Sequence, residues 1–281
     1  MSPNQPISGL RRRDALGVLH ALEAPAGRIV SLVPSITETL HHLGAGAQLV
    51  GVTDWCVHPA DQVAALAKVG GTKSPDLEAI RALDPDLVLA NIEENRREDI
   101  ERLAADTRVF VTFPRTLPET MAHVRDLGAL TGRNAGAERL VRAIEDALGA
   151  AHRHRVERAP VPFLYLIWRK PYWAAGGECY IDALLTAAGG RNVAESPRYY
   201  ELEDGWIRAC AAQLVIFPSE PLPFSAAHLD EFARTFPELP AVQKGRLHRA
   251  SGEDLSWFGA RTPAGLRLAA ELLGGALPTG L

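Results

Sequence analysis

Cysteine is scarce in this chain. Its 281 residues include only three cysteines, Cys56, Cys179 and Cys210, and no CxxC pair. An odd number of cysteines without such a pair provides neither a disulfide framework nor a zinc knuckle. Because 47% of the residues are hydrophobic, we expect an ordinary globular chain that is stabilised by its hydrophobic core.

Long apolar runs and an excess of charge of one sign are missing as well. No apolar run is long enough to span a membrane. The net charge of -4 gives no electrostatic reason to expect nucleic acid as a partner. The basic cluster Arg11–Arg13 is not followed by the apolar segment of a secretory signal. The sequence therefore predicts a cytoplasmic protein, or a chain from which an export signal was removed or left out.

Common enzyme motifs are absent too. There is no GxSxG elbow, no GxGxxG after a strand and no Walker loop, so the sequence signals for an enzyme are weak. Cys56 and His58 are potential metal ligands, but no third or fourth ligand follows at a recognisable spacing. We therefore expect no dedicated metal site and no resident cofactor. Hydrolytic or redox chemistry at Cys56 and His58 stays an alternative.

Short apolar strands alternate with helices along the chain. We predict strands at residues 28–33, 49–53, 86–90, 109–113, 163–167, 214–217 and 247–250. A capping box at Ser35 and Glu38, and Pro75 at a first helical position, predict two helix starts. This alternation is typical of an α/β fold with mainly parallel sheets that carry helices on both faces.

The stretch 131–158, at the middle of the chain, predicts one long helix. Its apolar residues recur with helical spacing, and Pro160 and Pro162 end it. These apolar residues are Ala137, Leu140, Val141, Ile144, Leu148 and Ala151. Since the sequences on either side share one plan, we predict two doubly wound lobes joined by a rigid helix: lobe 13–131, linking helix 132–158 and lobe 159–275. The alternative is a long surface helix of a single domain.

Aromatic residues make up only 6% of the chain, yet they cluster directly after predicted strands. They are Trp55, Trp168, Tyr172, Trp173, Trp257 and Phe258. Ligands of parallel sheets bind beyond the carboxyl ends of the strands. Two lobes with facing strand ends would place these rings around one cleft, which suits a large, flat, partly apolar ligand such as a macrocycle. Alternatively, any one of these tryptophans is a core residue.

Polar residues at the same strand ends are further candidate contacts. Ser35, Glu93 and Arg115 each follow a predicted strand, and His58 is a candidate axial ligand to a metal already held in a macrocycle. Glu93 is equally typical of the first turn of a helix, where acids favour the dipole. Arg115 alternatively extends along the surface.

Several segments carry a resemblance to a known family. Residues 28–38 (RIVSLVPSITE) resemble the opening strand and helix of the cobalamin and iron-siderophore binding proteins of ABC importers. Residues 50–55, 69–72, 84–88 and 189–193, together with the pair Trp257 and Phe258, follow the same pattern. The resemblance covers residues 13–273. It implies a binding protein and not an enzyme, with two α/β lobes joined by a long helix. It also implies a small-molecule ligand, an ABC permease as partner, a monomer, and a periplasmic or extracytoplasmic location.

Within that family the chain looks most similar to the cobalamin-binding branch. Trp55 matches an aromatic residue that lines the corrinoid pocket there, and Trp257 with Phe258 matches a second-lobe pair. Two other first-lobe aromatic positions of that branch are Thr72 and Asn91 here. The resemblance therefore implies a corrinoid ligand, with haem or an iron siderophore as alternatives. A cytosolic corrinoid-handling protein or enzyme on the same fold is a further alternative.

The family resemblance also implies one acidic docking residue on the outer rim of each lobe, which pairs with arginines of the permease. Glu78 matches the first-lobe position. The second-lobe position falls near Gly205, where the nearest acids are Glu203 and Asp204. Alternatively, these three residues are ordinary first-turn acids of surface helices, and the second docking contact is absent.

Overall fold

The computed structural model describes residues 10–155 and 159–274 and shows a mixed α/β fold. The chain divides into two compact units. The first lobe contains Met1–Pro114 and Thr120–Arg142, and the second contains Arg115–Glu119 and Ala143–Leu281. The predicted fold class, two α/β lobes with mainly parallel sheets, is confirmed. In the described part of the chain, no helix is both long enough and apolar enough to cross a membrane.

The first lobe is built on a five-stranded parallel sheet in the order β5-β4-β3-β6-β7, preceded by a separate antiparallel hairpin, β1-β2. Its strands are β1 Leu10–Arg13, β2 Leu19–Leu22, β3 Ile29–Ser31, β4 Leu49–Val52, β5 Ala67–Lys68, β6 Leu87–Asn91 and β7 Val109–Thr112. The helices that accompany and follow them are α1 Pro34–Leu43, α2 Ala60–Val63, α3 Leu77–Ala82, α4 Arg97–Ala104, α5 Leu117–Thr131 and α6 Asn134–Arg155.

The second lobe contains a mixed sheet. Its strands are β8 Val161–Trp168, β9 Trp173–Ala175, β10 Gly190–Asn192, β11 Tyr199–Glu201, β12 Leu214–Pro218 and β13 Leu247–Ala250. The strands follow the order β11-β9-β8-β12-β13, in which β8, β12 and β13 are parallel, and β10 also pairs with β8 in parallel. Strand β9 pairs antiparallel with both β8 and β11. Its helices are α7 Tyr180–Ala187, α8 Asp204–Ala209, α9 Ala226–Thr235, α10 Pro240–Gln243, α11 Gly252–Ser256 and α12 Thr262–Gly274.

Each lobe has its own hydrophobic core. The first-lobe core joins aliphatic residues of the central strands to α3 and α4, including Val30, Val88 and Ile100. The second-lobe core is more aromatic, because Phe217, Phe224 and Phe232 stack edge to face at 5.2 and 5.3 Å. All seven predicted strands are present, with ends that differ by at most two residues.

Helix α6 confirms the predicted long helix over Asn134–Arg155. It begins three residues later than predicted, because Thr131 still belongs to α5, and residues 156–158 of the prediction lie outside the described residues. The predicted apolar face is buried except Leu148, which is half-buried, while Ala147 is buried in addition. The predicted lobe boundaries at residues 131 and 158 stay a prediction. Near the start of α6, a Cβ added to Gly136 would lie 2.5 Å from the carbonyl oxygen of Leu43. Glycine therefore permits the close approach of α6 to the end of α1.

Both predicted helix starts differ from the observed ones. Helix α1 begins at Pro34 with Val33 as its N-cap, and no side chain caps it, so the capping box at Ser35 is wrong. Proline suits the first helical position because it has no N–H to satisfy there. Helix α3 is capped by Asp76, whose Oδ1 accepts from the backbone N–H groups of Glu78 and Ala79 at 3.1 and 3.0 Å. Pro75 therefore lies outside α3.

Candidate functional site

The strand ends of the first lobe are held together by one buried amide, that of Asn95. Its Oδ1 accepts from the N–H of Asn91 at 2.9 Å, and its Nδ2 donates to the carbonyls of Leu32 and Thr72 at 3.3 and 2.9 Å. These three residues follow or end three different strands. Asn95 is therefore a structural residue that fixes the position of the loops after β3, β5 and β6.

Trp55 lies in the loop after β4, and 66% of its surface is exposed. A Cβ added to Gly71, in the neighbouring loop, would lie 3.6 Å from the indole Nε1 of Trp55. The ring is thus located at the carboxyl end of the first sheet and is not a core residue. Exposure of so large an apolar side chain is unusual and is typical of binding surfaces.

Unlike the exposed ring of Trp55, the side chain of Cys56 is buried in the lobe. Its thiol is buried and lies 3.1 Å from the hydroxyls of both Thr37 and Thr53. Burial raises the pKa of this thiol and so disfavours the reactive thiolate. Neighbouring His58 is half-buried at the same strand end. Among the described residues, no three His, Cys, Asp or Glu side chains are grouped so that they would hold a metal ion.

Glu93 and Ser35 belong to the same region. The Oδ1 of Asn91 accepts from the N–H groups of Glu93 and Glu94 at 2.7 and 3.3 Å, which shapes the turn after β6. The Nζ of Lys73 donates to the carbonyl of Glu93, a cation that the sequence analysis did not single out. Ser35 is buried in the first turn of α1. Arg115 belongs to the second lobe, where its Nη1 lies 3.9 Å from the Oε2 of Glu178.

Trp168 and Trp173 face each other across the antiparallel hairpin β8-β9 in the second lobe. Trp168 is 45% exposed and Trp173 is half-buried. The predicted loop is thus a tight hairpin turn, and both tryptophans lie on strands. The carboxylate of Glu231 pairs with Arg169 and with the Nζ of Lys170, at 3.1 Å in the latter case. These contacts lower the pKa of Glu231 and hold the two cations beside the turn.

Two predicted aromatic contacts are packed into the second lobe. The ring of Tyr172 stacks edge to face on Phe232 and Phe236, with centroids at 5.4 and 5.8 Å. Phe258 is buried and stacks on Tyr180 at 6.1 Å. Both rings are held by core contacts, which are the packing alternative for these two positions. Their role in ligand binding stays a prediction.

Trp257 is half-buried and follows α11. The Arg261 guanidinium carbon lies 5.2 Å from the centre of its ring. The Nη1 of Arg261 also lies 3.1 Å from Glu253 Oε2 and 2.9 Å from Asp254 Oδ1. Arg261 was not predicted from the sequence, although its spacing of four residues from Trp257 was a signal. Its two carboxylate partners are fixed by the Ser251 cap of α11, whose hydroxyl accepts from Asp254 N at 3.1 Å.

The three predicted docking acids are exposed. Glu78 is paired within its own helix, because its Oε1 lies 2.8 Å from the Nη1 of Arg81. Glu203 is the N-cap residue of α8 and Asp204 its first residue. No ion pair involves Glu203 or Asp204 among the residues that the structure describes. Their docking role stays a prediction.

A cavity of about 520 Å³ opens beside Glu203 in the second lobe. Its walls include Arg191, Tyr200, Trp206 and Cys210. These residues lie on or next to β10, β11 and α8. The cavity was not predicted, because its walls come from short strands that lack a clear pattern in the sequence.

Comparison with known proteins gives one family match and several relatives. Residues 29–251 match a family model described as periplasmic binding protein. The vitamin B12-binding protein of Photorhabdus laumondii is 26% identical over 180 residues, which cover 63% of this chain and 65% of that protein. The vitamin B12-binding protein of Pectobacterium carotovorum is 32% identical over 175 residues, which cover 60% of this chain and 63% of that protein. The matched part thus spans less than two thirds of these curated relatives.

Solved structures show the same fold. The periplasmic vitamin B12 binding protein of Vibrio cholerae superposes with a TM-score of 0.79 at 20% identity, covering 90% of this chain and 99% of that chain. The periplasmic heme-binding protein of Roseiflexus sp. RS-1 superposes with a TM-score of 0.77 at 24% identity, covering 90% of this chain and 100% of that chain. At these low sequence identities, the superpositions show a common fold and nothing further.

Proposed function

Because the chain belongs to the periplasmic binding protein family, we propose that it captures a cobalamin-like corrinoid and delivers it to the permease of an ABC importer. The family consists of substrate-binding proteins rather than enzymes. One observation carries the proposal for the ligand. Trp55, 66% exposed, lies at the carboxyl end of the first-lobe sheet, where ligands of parallel sheets bind.

The chemistry of the exposed rings supports a macrocycle. Trp55 and Trp168 both present a flat apolar face to solvent at the strand ends of their lobes. Such faces stack well on a large conjugated ring, and the water they release favours binding. Lys73, Arg169 and Lys170 add cations near these rings, which suit the phosphate or carboxylate groups of a ligand. The curated relatives cited above are named as vitamin B12-binding proteins, which agrees with this choice.

Haem is the second candidate ligand. His58 is half-buried three residues after Trp55, and a neutral imidazole is a common axial ligand of haem iron. Similar solved structures include proteins named as heme-binding. An iron siderophore is a weaker alternative, because it does not need the flat aromatic faces that this chain provides. A cytosolic corrinoid-handling protein on the same fold is the alternative for the cellular role.

The ligand is tested by titrating the purified protein separately with cyanocobalamin, haemin and a ferric siderophore. The readouts are the visible spectrum of the ligand and the quenching of tryptophan fluorescence. We expect saturable binding of cyanocobalamin with a 1:1 ratio. Trp55→Ala and Trp168→Ala should each weaken binding by about 1–3 kcal/mol, or roughly 5- to 150-fold in Kd.

Trp206→Phe is the matched control, because Trp206 lines the cavity beside Glu203 and not a strand end. It should bind as wild type does. His58→Ala separates the two macrocycles: a lost or shifted Soret band would favour haem. Wild-type affinity in both the Trp55 and the Trp168 variants would remove the aromatic site from the proposal.

The cellular role follows from the family. We place the protein outside the cytoplasmic membrane, in contact with the permease through Glu78 and, where a second contact exists, through Glu203 or Asp204. Fractionation of the native organism with an antibody against the protein tests the location. Recovery with the cytoplasmic marker would favour the corrinoid-handling alternative.

A further inference from the structure

The β1-β2 hairpin presents an unusual apolar tip. Leu16 is 56% exposed, and Val18 and Leu19 are each 51% exposed. They are consecutive around Gly17, which turns the chain with a φ of 82°. Three large aliphatic side chains close together in solvent are an unfavourable arrangement unless something covers them.

The tip is held in place by hydrogen bonds. The Oδ1 of Asp14 accepts from the N–H groups of Leu16 and Val18 at 3.0 and 2.8 Å. Its Oδ2 lies 3.2 Å from the Nε2 of His20, and both side chains are buried. The guanidinium of Arg13 donates to the carbonyl of Gly17. The apolar side chains are thus exposed on a fixed turn.

The hairpin is also fixed to the first lobe. The N–H of Ala15 donates to the carbonyl of Val111 on β7 at 2.8 Å. The ring of His20 lies 5.2 Å from that of Phe110, and the Nε of Arg12 lies 3.0 Å from Asp126 Oδ1. One face of the hairpin therefore packs against the first lobe.

The opposite face combines the apolar tip with positive charge. Arg11 pairs with Ala21 and Arg13 pairs with Leu19 in the antiparallel register. Directly paired residues share a face of the sheet, and all four are exposed. Although Arg13 already donates one N–H to Gly17, a guanidinium has five donors, so it keeps capacity for a phosphate.

We propose that this hairpin tip docks on the surface of an anionic phospholipid bilayer, with the apolar tip at the headgroup boundary and Arg11 and Arg13 against lipid phosphates. Aliphatic side chains beside arginines are the combination that binds such a surface. The charge complementarity is local, because the whole chain carries a net charge of -4. This surface function is separate from ligand capture, and it would keep the protein close to a membrane-embedded partner.

Vesicle flotation tests the proposal with the full chain. We expect binding to vesicles of phosphatidylglycerol and phosphatidylcholine, little binding to pure phosphatidylcholine, and release by 0.5 M salt, roughly a threefold higher ionic strength than physiological. Leu16→Ser combined with Val18→Ser should lower the partition coefficient roughly tenfold. Arg11→Gln should lower it about fivefold. Val57→Ser is the matched control, since Val57 is 46% exposed elsewhere in the first lobe.

A direct readout comes from Leu16→Trp with brominated lipid as quencher. Quenching beyond that of the wild-type protein places position 16 at the bilayer, while Val57→Trp should show no additional quenching. Absence of vesicle binding, or equal partition of wild type and the Leu16/Val18 double variant, would overturn the proposal. Cross-linking of the tip to a protein in membranes, without vesicle binding, would assign it a protein partner instead. Macrocycle affinity should be unchanged in these tip variants, so the two proposals fail independently.

Discussion

The guanidinium of Arg261 lies over the ring of Trp257 at 5.2 Å, while its Nη1 contacts the carboxylates of Glu253 and Asp254 at 3.1 and 2.9 Å. Arg261 is thereby held on three sides, and one face of Trp257 is fixed by it. Ordering an aromatic side chain before a ligand arrives lowers the entropy lost on binding. We therefore propose that Arg261 positions the indole of Trp257 for ligand binding.

Replacing Arg261 should loosen Trp257. We expect Arg261→Gln to lower the free energy of unfolding by about 1–2 kcal/mol, because it removes a cation–π contact and two ion pairs. Macrocycle binding should weaken by a smaller amount, and tryptophan anisotropy should fall. Arg208→Gln is the control: Arg208 lies 5.1 Å from the ring of Phe236 and pairs with Glu238. It should lower stability without an effect on binding. Equal binding losses in both variants would contradict the positioning role.

Acid should destabilise the first lobe through His123. Burial on α5 lowers the pKa of this imidazole to about 4, from an ordinary value of 6.5. Because the unfolded chain takes up the proton more readily, the stabilisation is fully present above pH 6.5 and is lost as the pH falls toward 4. The loss at pH 5 relative to pH 7.5 should be about 2 kcal/mol.

Urea unfolding of wild type and His123→Gln at these two pH values measures this contribution. The variant should be less stable at pH 7.5 because of altered packing, but its stability should change less with pH. If His123→Gln loses as much unfolding free energy between pH 7.5 and pH 5 as wild type does, other groups cause the acid sensitivity.

The close approach at Gly136 predicts a steric effect. Gly136→Ala should lower the free energy of unfolding by about 1–3 kcal/mol, since its Cβ would lie 2.5 Å from the Leu43 carbonyl oxygen. Gly205→Ala on α8 is the matched control, because no atom lies within 4 Å of the added Cβ. That variant should be neutral or stabilised by up to about 1 kcal/mol. Urea unfolding at pH 7.5 checks both, and equal stability of the two variants would contradict the argument.

Docking through Glu78 predicts a kinetic effect on transport. Glu78→Arg should leave macrocycle affinity unchanged but slow delivery to the cognate permease in reconstituted vesicles, most strongly at low salt. Glu101→Arg is the control, because Glu101 is another exposed acid with an arginine partner, Arg97 at 2.7 Å. Replacement of Glu203 and Asp204 together should slow delivery only if the second contact exists. Normal transport by Glu78→Arg would remove its docking role.

The sequence predicted the large elements well and the loops less well. Seven of the thirteen strands in the described residues, and helix α6, could be predicted, because buried apolar runs and the 3.6-residue period are local signals. Strands β9 to β11 were missed, since each has only three residues and depends on its partners in the sheet. The capping box at Ser35 failed because Pro34 determines where α1 begins.

The candidate site was predictable in outline only. Trp55 and Trp168 lie at strand ends with exposed rings, as the pattern predicted. By contrast, Tyr172 and Phe258 pack on aromatic partners far away in the sequence, Phe232 and Tyr180. The amide of Asn95 is used by three backbone groups, those of Asn91, Leu32 and Thr72. Such long-range hydrogen bonds leave no local trace in the sequence.

The division of the chain between the lobes has a consequence for where the chain can be cut. The second lobe includes Arg115–Glu119 as well as Ala143 onward, and the first resumes at Thr120. Neither lobe is encoded by one uninterrupted stretch, so a cut between Arg142 and Ala143 leaves residues 115–119 of the second lobe on the fragment that carries the first lobe. A fragment that begins at Ala143 therefore lacks residues 115–119 of its own lobe, and recombination at this point of α6 would yield an incomplete second lobe.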